Sequence, residues 1–294
     1  MSVVESLERL GGVATRAALI AATDRMRVDR ALDVGDIIVL ARGRYALPES
    51  DEARQAAHRL TGAVSWRSAA QAYGWELLRV PEEPDVTVPT NRKVSAVQRS
   101  GVCLHRAALH SSEVDEGMVT RARTLTDCLR GLPFDEALAV ADSALRHGFS
   151  PKILTGLAAH AGGPGSAQMR RVAALASPEK ANPFESGLHA IAAGVSGLDV
   201  RPQVPVHDRG FLGRPDLVDL RLGIALEADS FEWHGGRAAL ARDARRYDDF
   251  VVRGWLVLRF AWEDVMFDQA WVASVLTAAV AERSDRRCWA CRAA

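Results

Sequence analysis

Apolar side chains recur at Val3, Val4, Leu7 and Leu10, the spacing of a helix that buries one stripe. Gly11-Gly12 breaks that pattern, and Thr15 offers a hydroxyl to cap a second helix, RAALIAA. A third helix is predicted over 25–34, with Val28, Ala31 and Leu32 turned inward and Arg25, Arg27 and Arg30 outward. IIVLARGRYAL follows as two short strands about a basic tip, Arg42-Gly43-Arg44. Three small helices and a basic hairpin predict a winged helix-turn-helix over residues 1–50.

Residues 51–176 mix helix and strand. Helical spacing runs from Ala53 to Leu60 and from Trp66 to Tyr73, DVTVPTNRKV and GVCLHRAAL are rich in strand formers, and TLTDCLRGL and FDEALAVADSALRHG are helical. Turn-forming AGGPGS at 161–166 and SPEKANP at 177–183 place a domain boundary near 175–182. Over 183–283 the order becomes helix, strands, helix, strand, helix. PFESGLHAIAAG is a helix opened by Pro183, DVRPQVPV a strand, and DLVDLRL and GIALEAD a hairpin about Leu222-Gly223. RAALARDARRYDDFVVRG is an amphipathic helix, WLVLRF a buried strand, and EDVMFDQAWVASVLTAAVAE one closing helix. The expected class is multi-domain α/β: a winged helix, a mixed α+β middle region, and a C-terminal α/β sandwich with a mixed sheet.

Composition narrows the partners only slightly. With 294 residues, 48% of them hydrophobic, the chain can build cores for two or three domains. Lys plus Arg and Asp plus Glu both number 37, so net charge argues neither for nor against a polyanion and local patches must decide. Residues 1–48 hold seven basic and six acidic residues, a modest field. There, Arg25, Arg27 and Arg30 on the exposed helix could enter a groove and Arg42 and Arg44 could meet phosphates, or the module could bind protein instead. No window approaches the ~18 apolar residues of a membrane span, and no basic leader precedes an apolar run, so a cytoplasmic location is expected. Among Cys103, Cys128, Cys288 and Cys291, only CWAC at 288–291 has ligand-like spacing. With no second pair to complete a zinc site, a reduced tail is the favoured reading.

The chemistry concentrates in GRPDLVDLRLGIALEADSFEWHG, residues 213–235. Residues i and i+2 of a strand share a face, so Glu227 and Asp229 point together, and a hairpin about Leu222-Gly223 would set Asp216 almost opposite Asp229. Converging carboxylates repel, and a cation or a raised pKa relieves them. Magnesium (or manganese) suits such oxygen ligands and leaves positions for water and phosphate. Glu185, on the preceding helix, could add an oxygen ligand or orient water. His234 could move a proton, and Arg242 and Arg246 could hold phosphate oxygens, with Arg253 on the same face. The bland alternatives are that Asp216 caps a turn after Pro215, that Glu227 and Asp229 pair with arginines of the next helix, and that those arginines form its solvated face. Leu240, Ala244, Tyr247 and Val251 would then fill the buried face. Trp233 is expected to pack in the core.

Along nearly its whole length the chain resembles known families. The acidic stretch, the arginine-rich helix with Asp243 and Arg246, and GWLVLRFAWEDV resemble the very-short-patch-repair (Vsr-like) branch of the PD-(D/E)xK endonuclease-like fold. GGVATRAALIAA through RGRYALP resembles the N-terminal winged helix of AbiEi-type antitoxins, and SWRSAAQAYGW, DVTVP and RTLTDCLRGLPFDEAL resemble the region that follows it. The resemblance implies that Asp216 is the first Asp of the nuclease motif, Glu227 its second acid, and Glu185 the acid of the first helix. It departs in one place: Asp229 occupies the lysine position, and no lysine follows Lys180. Asp229, His234 or Arg246 would have to replace that ammonium.

The resulting expectation is a DNA-binding, metal-dependent endonuclease in which Asp216, Glu227 and Asp229 hold Mg2+ or Mn2+, acting in repair or phage defence. The alternative is a non-catalytic, antitoxin-like transcriptional regulator with a degenerate nuclease fold. DNA is the expected partner and a second copy of the chain an optional one. Neither a membrane nor a small-molecule cofactor is expected.

Overall fold

The computed structural model describes residues 1–208, 210–229 and 237–285, and of residues 237–243 and 285 the backbone alone. The chain divides into two compact units: Met1–Trp75 with Arg79–Cys128, and Glu76–Leu78 with Leu129–Ala294. The architecture is mixed α/β, as the alternating patterns predict.

The first unit opens with α1 (Val3–Arg9), β1 (Val13–Thr15), α2 (Arg16–Ala22), α3 (Arg25–Asp33), β2 (Ile38–Ala41) and β3 (Arg44–Ala46). Ser2 and Glu5 form a capping box on α1, Thr15 caps α2 by accepting from the Ala18 amide, and Asp24 caps α3. The strands form an antiparallel sheet in the order β1-β3-β2; β1 is too short for alternation to reveal. Leu7, Leu19, Val28, Ile37 and Tyr45 share a core beneath them. Next come α4 (Glu52–Leu60), β4 (Ala63–Val64), α5 (Trp66–Ala72), β5 (Asp85–Val88), β6 (Cys103–Arg106), β7 (Val114–Asp115), β8 (Met118–Val119) and α6 (Arg121–Gly131). The five strands form one sheet, β6-β5-β4-β8-β7, in which β5 and β6 run parallel.

The second unit holds α7 (Phe134–Arg146), α8 (Pro151–His160), α9 (Ser166–Leu175) and α10 (Pro183–Ala192). There follow β9 (Arg201–Pro202), β10 (Val206–His207), β11 (Phe211–Gly213), β12 (Leu217–Asp219) and β13 (Ile224–Asp229). The order ends with α11 (Arg237–Val252), β14 (Leu256–Ala261), α12 (Trp262–Phe267) and α13 (Gln269–Asp285). Residues 175–182 lie within this unit, because α7 packs along α10. The central sheet runs β14-β13-β12-β9; β13 and β14 are parallel, and β12 is antiparallel to both its neighbours. Side chains of its strands alternate between two cores. Leu217, Ile224 and Leu226 pack with α10 and α13, whereas Val218 and Ala225 pack with Phe250 of α11 and Trp255.

Four sequence expectations need correction. The hairpin turns about 220–223 with Leu217 opposite Leu226, so Asp216 aligns with Glu227 and not with Asp229. DVRPQVPV is not one strand: Gln203 sits at φ 54°, and β9 and β10 belong to different sheets. The closing helix is two helices broken at Asp268, whose carboxylate accepts from the Trp271 amide. On α11, Ala244 and Val251 are exposed, and Phe250 with half-buried Arg246 and Tyr247 faces the sheet. Phe250 buries more apolar surface than Val251 could, and its choice of face carries Arg246 inward with it. Among the described residues, no helix is long and apolar enough to cross a membrane.

Candidate acidic site in the second unit

Asp216 lies just before β12, and the antiparallel register carries it to Glu227 on β13. The Ala228 amide donates to Asp216 Oδ2 at 2.9 Å, which clamps the carboxylate to the neighbouring strand. The register sets the carboxyls of Asp216 and Glu227 side by side, on the face of the sheet that α11 covers. Gln203 joins them to α10. Its Nε2 donates to Asp216 Oδ1 at 3.0 Å and to Glu185 Oε2 at 3.3 Å, and its backbone amide donates to the Asp216 carbonyl. The left-handed backbone at Gln203, costly for any residue but glycine, accompanies this double engagement.

Glu185 is held by the α10 terminus itself. Asn182 caps that helix by accepting from the Glu185 amide, and the Ala181 amide and Asn182 Nδ2 donate to the Glu185 carboxylate. Burial raises the pKa of all three acids. Glu185 rises by desolvation and then by the nearness of Asp216, Asp216 rises by desolvation, and Glu227 is pushed up to about 7 by desolvation and then by Asp216. Two carboxyls this close and this dry cannot both ionise without a positive charge between them.

Arg246 supplies part of that charge. Its Nη2 lies 3.4 Å from Glu227 Oε1, and it donates to the Tyr247 hydroxyl at 3.1 Å. Its side chain reaches the acids past Gly213, where an added Cβ would stand 2.9 Å from Phe250 and 3.3 Å from Arg246 Cδ. Arg246 turns inward and pairs with Glu227, as the alternative of acids paired with arginines of the next helix expects for Glu227, while Arg253 pairs with Asp249. Phe211, Gly213, Arg214, Arg245, Arg246 and Asp249 line an open cleft beside the acids.

Other expected residues do not join the group. Asp229 is half exposed and bonds Arg259 at 2.5 Å, with the Arg259 guanidinium stacked over the Tyr247 ring. Among the described residues, Asp216, Glu227 and Asp229 do not gather into a three-ligand set; a pair of carboxylates is what the hairpin register provides. Trp233 and His234 lie outside the described residues, as do Cys288, Cys291 and the side chains of Leu240, Arg242 and Asp243. In the first unit, Arg25, Arg27, Arg30 and Arg42 are exposed. Arg25 lies 3.9 Å from Asp29, Arg27 lies 3.2 Å from Asp24, and half-buried Arg44 stands 3.3 Å from His58 Nδ1.

Sequence reasoning missed Gln203, whose value is visible only once the register is known. It also missed the fully buried pair Lys180 and Asp142, 2.5 Å apart and structural in character. No protein-family model matches the chain, and no curated protein does. A solved structure, the RV2827C protein from Mycobacterium tuberculosis, aligns over 68% of this chain and 82% of that one with 17% identity and a TM-score of 0.36. A likeness as loose as this determines neither fold nor function.

Proposed function

We propose that the second unit is a magnesium-dependent nuclease, that the first unit is a winged-helix module, and that the protein hydrolyses phosphodiester bonds in DNA. One observation carries the reading: Asp216 and Glu227 stand side by side in a buried site, both with raised pKa, next to an inward-facing arginine and a basic cleft. Magnesium binds through one or two carboxylates and keeps several waters for the substrate, which fits two acids better than three. When bound, the ion would acidify a water and offset charge on the scissile phosphate.

The chain's own groups would do the rest. Asp216 and Glu227 would hold the cation, and the Ala228 amide and Gln203 fix the Asp216 carboxylate. Glu185, buried and with a raised pKa, would accept a proton from the attacking water at a carboxylate oxygen. Arg246, with Arg214 and Arg245 along the cleft, can hold phosphate oxygens. Water adds across the phosphodiester, leaving a phosphomonoester and an alcohol. The resemblance to Vsr-like and AbiEi-type sequences supports the same division of labour.

The test is nicking of supercoiled plasmid with magnesium or manganese. Wild type should cut, and Asp216→Ala and Glu227→Ala should lose more than the ~10–100-fold typical of outer-shell positions. Wild-type protein that binds every DNA offered and leaves it intact would end the enzyme reading.

A second reading is favoured by one observation: the position two after Glu227 carries Asp229, paired to Arg259, where the nuclease motif has lysine. On this reading the protein is a non-catalytic, antitoxin-like regulator. Sequence-specific binding to its own promoter, unchanged by Asp216→Ala and by chelators, would establish it.

A further inference from the structure

The first unit carries a second cluster, chemically unlike the acidic site. Parallel pairing sets Asp85 of β5 beside Cys103 of β6, and His105 follows two residues later on the same face. His105 Nε2 lies 2.7 Å from Asp85 Oδ1 and 3.5 Å from Cys103 Sγ. One donor atom from each of the three residues falls within 4.8 Å of the other two.

The pattern of contacts decides between two familiar uses of these residue types. In a nucleophilic Cys-His-Asp relay, the carboxylate and the thiol occupy opposite nitrogens of the imidazole. Here both approach the same nitrogen, so no proton can be relayed across the ring. Three donors aimed at one point are instead the arrangement of ligands around a shared ion. A tetrahedral zinc with Zn–S of about 2.3 Å and Zn–N and Zn–O of about 2.0–2.1 Å requires sulfur and nitrogen about 3.6 Å apart and oxygen and nitrogen about 3.3 Å apart. Sγ and Nε2 stand 3.5 Å apart, and Oδ1 and Nε2, hydrogen-bonded at 2.7 Å, would part by about 0.6 Å to admit the ion.

The surroundings hold these donors in place. Arg67 Nε lies 3.4 Å from Asp85 Oδ2, leaving Oδ1 turned to the cluster. Ser68 Oγ accepts from the Asp85 amide at 2.9 Å, and the Asp85 side chain is 1% exposed. Trp66 adopts φ 51°, a left-handed conformation that costs an aromatic residue energy, and stacks on the His105 ring with centroids 4.4 Å apart. That stack fixes the plane of the imidazole. His105 remains 23% exposed, enough for an ion to enter.

We propose that Asp85, Cys103 and His105 form a site for a borderline transition-metal ion, zinc above all, with its fourth position open to water. Thiolate and imidazole exclude magnesium and calcium as natural occupants. The proposal is independent of the nuclease reading.

The experiment uses the full chain, dialysed against zinc chloride and assayed for metal content, with X-ray absorption at the zinc edge to count sulfur ligands. The expected result is one zinc per chain with a single sulfur in its shell. Cys103→Ser and His105→Ala should each lower zinc affinity at least tenfold, and Arg67→Met should lower it by less; the Cys288→Ser/Cys291→Ser double variant should leave it unchanged. Cobalt in place of zinc should show a thiolate charge-transfer band that Cys103→Ser abolishes. Absence of stoichiometric zinc in wild type, a shell with two sulfurs, or loss of zinc in the Cys288/Cys291 double variant would overturn the proposal. The wild-type sulfur count keeps the test decisive if a ligand variant fails to fold.

Discussion

Glu227 shows what burial does to one charge. Its carboxyl is raised from the ordinary 4.5 to about 7 by desolvation and by Asp216, and Arg246 only partly offsets this. Because the folded-state pKa lies above the unfolded one, the native state binds the extra proton. The associated stability is therefore present below about pH 4.5 and lost as pH rises through about 7. In metal-free protein the melting temperature should fall between about pH 5 and 8, and Glu227→Gln, which cannot ionise, should flatten that fall. If the Asp216–Glu227 pair holds magnesium, the ion competes with the proton and should raise the melting temperature more at pH 8 than at pH 5.5. Differential scanning fluorimetry across pH with and without magnesium checks both statements, and a magnesium response equal at the two pH values would count against ligation by this pair.

At the scale of elements, the hairpin of β12 and β13 does most to assemble the site. Asp219, 1% exposed, governs its turn: Oδ1 accepts from the Leu222 amide at 2.9 Å and Oδ2 from the Asp199 amide at 2.9 Å. Asp219→Ala would strand two amides, at about 1–3 kcal/mol for each left unsatisfied. Chemical denaturation should show a loss of about 2–6 kcal/mol for the two together, and any plasmid-nicking activity should fall with it although Asp219 touches no catalytic group. This element also shows where sequence reasoning reaches its limit. Apolar alternation revealed a hairpin and placed its acids on one face, but a shift of two residues preserves every face assignment. Periodicity alone therefore cannot distinguish Asp216 opposite Asp229 from Asp216 opposite Glu227. Asp219, whose carboxylate accepts from the Leu222 amide, is the local signal for a turn starting at Leu220. On α11 the limit is of another kind: Leu240, Ala244, Tyr247 and Val251 suggest one buried face, and Phe250 selects the adjacent one.

At the scale of the whole molecule, α2 with its Thr15 cap and α10 opened by Pro183 were legible because their causes are local. The association of α7 with α10 was not, because a helix apolar on nearly every side announces burial without naming its partner. The same limit applies to charge: equal numbers of acids and bases hide patches that only exposure reveals. Arg30 and Arg42 are exposed, whereas Arg44 is half buried against His58. If the first unit contacts DNA phosphates, each contact releases counterions, and affinity falls with salt by a slope of about 0.9 per phosphate. Arg30→Ala and Arg42→Ala should each weaken binding to any sequence and reduce the salt slope by about 1, while Arg44→Ala should change the slope much less. Arg214→Ala and Arg245→Ala should do the same through the cleft of the second unit. Fluorescence anisotropy of a labelled duplex, titrated with the full chain at several salt concentrations, separates these cases. Affinity indifferent to salt in wild type would mean that neither basic surface meets phosphate, and the first unit would then be a protein-binding module.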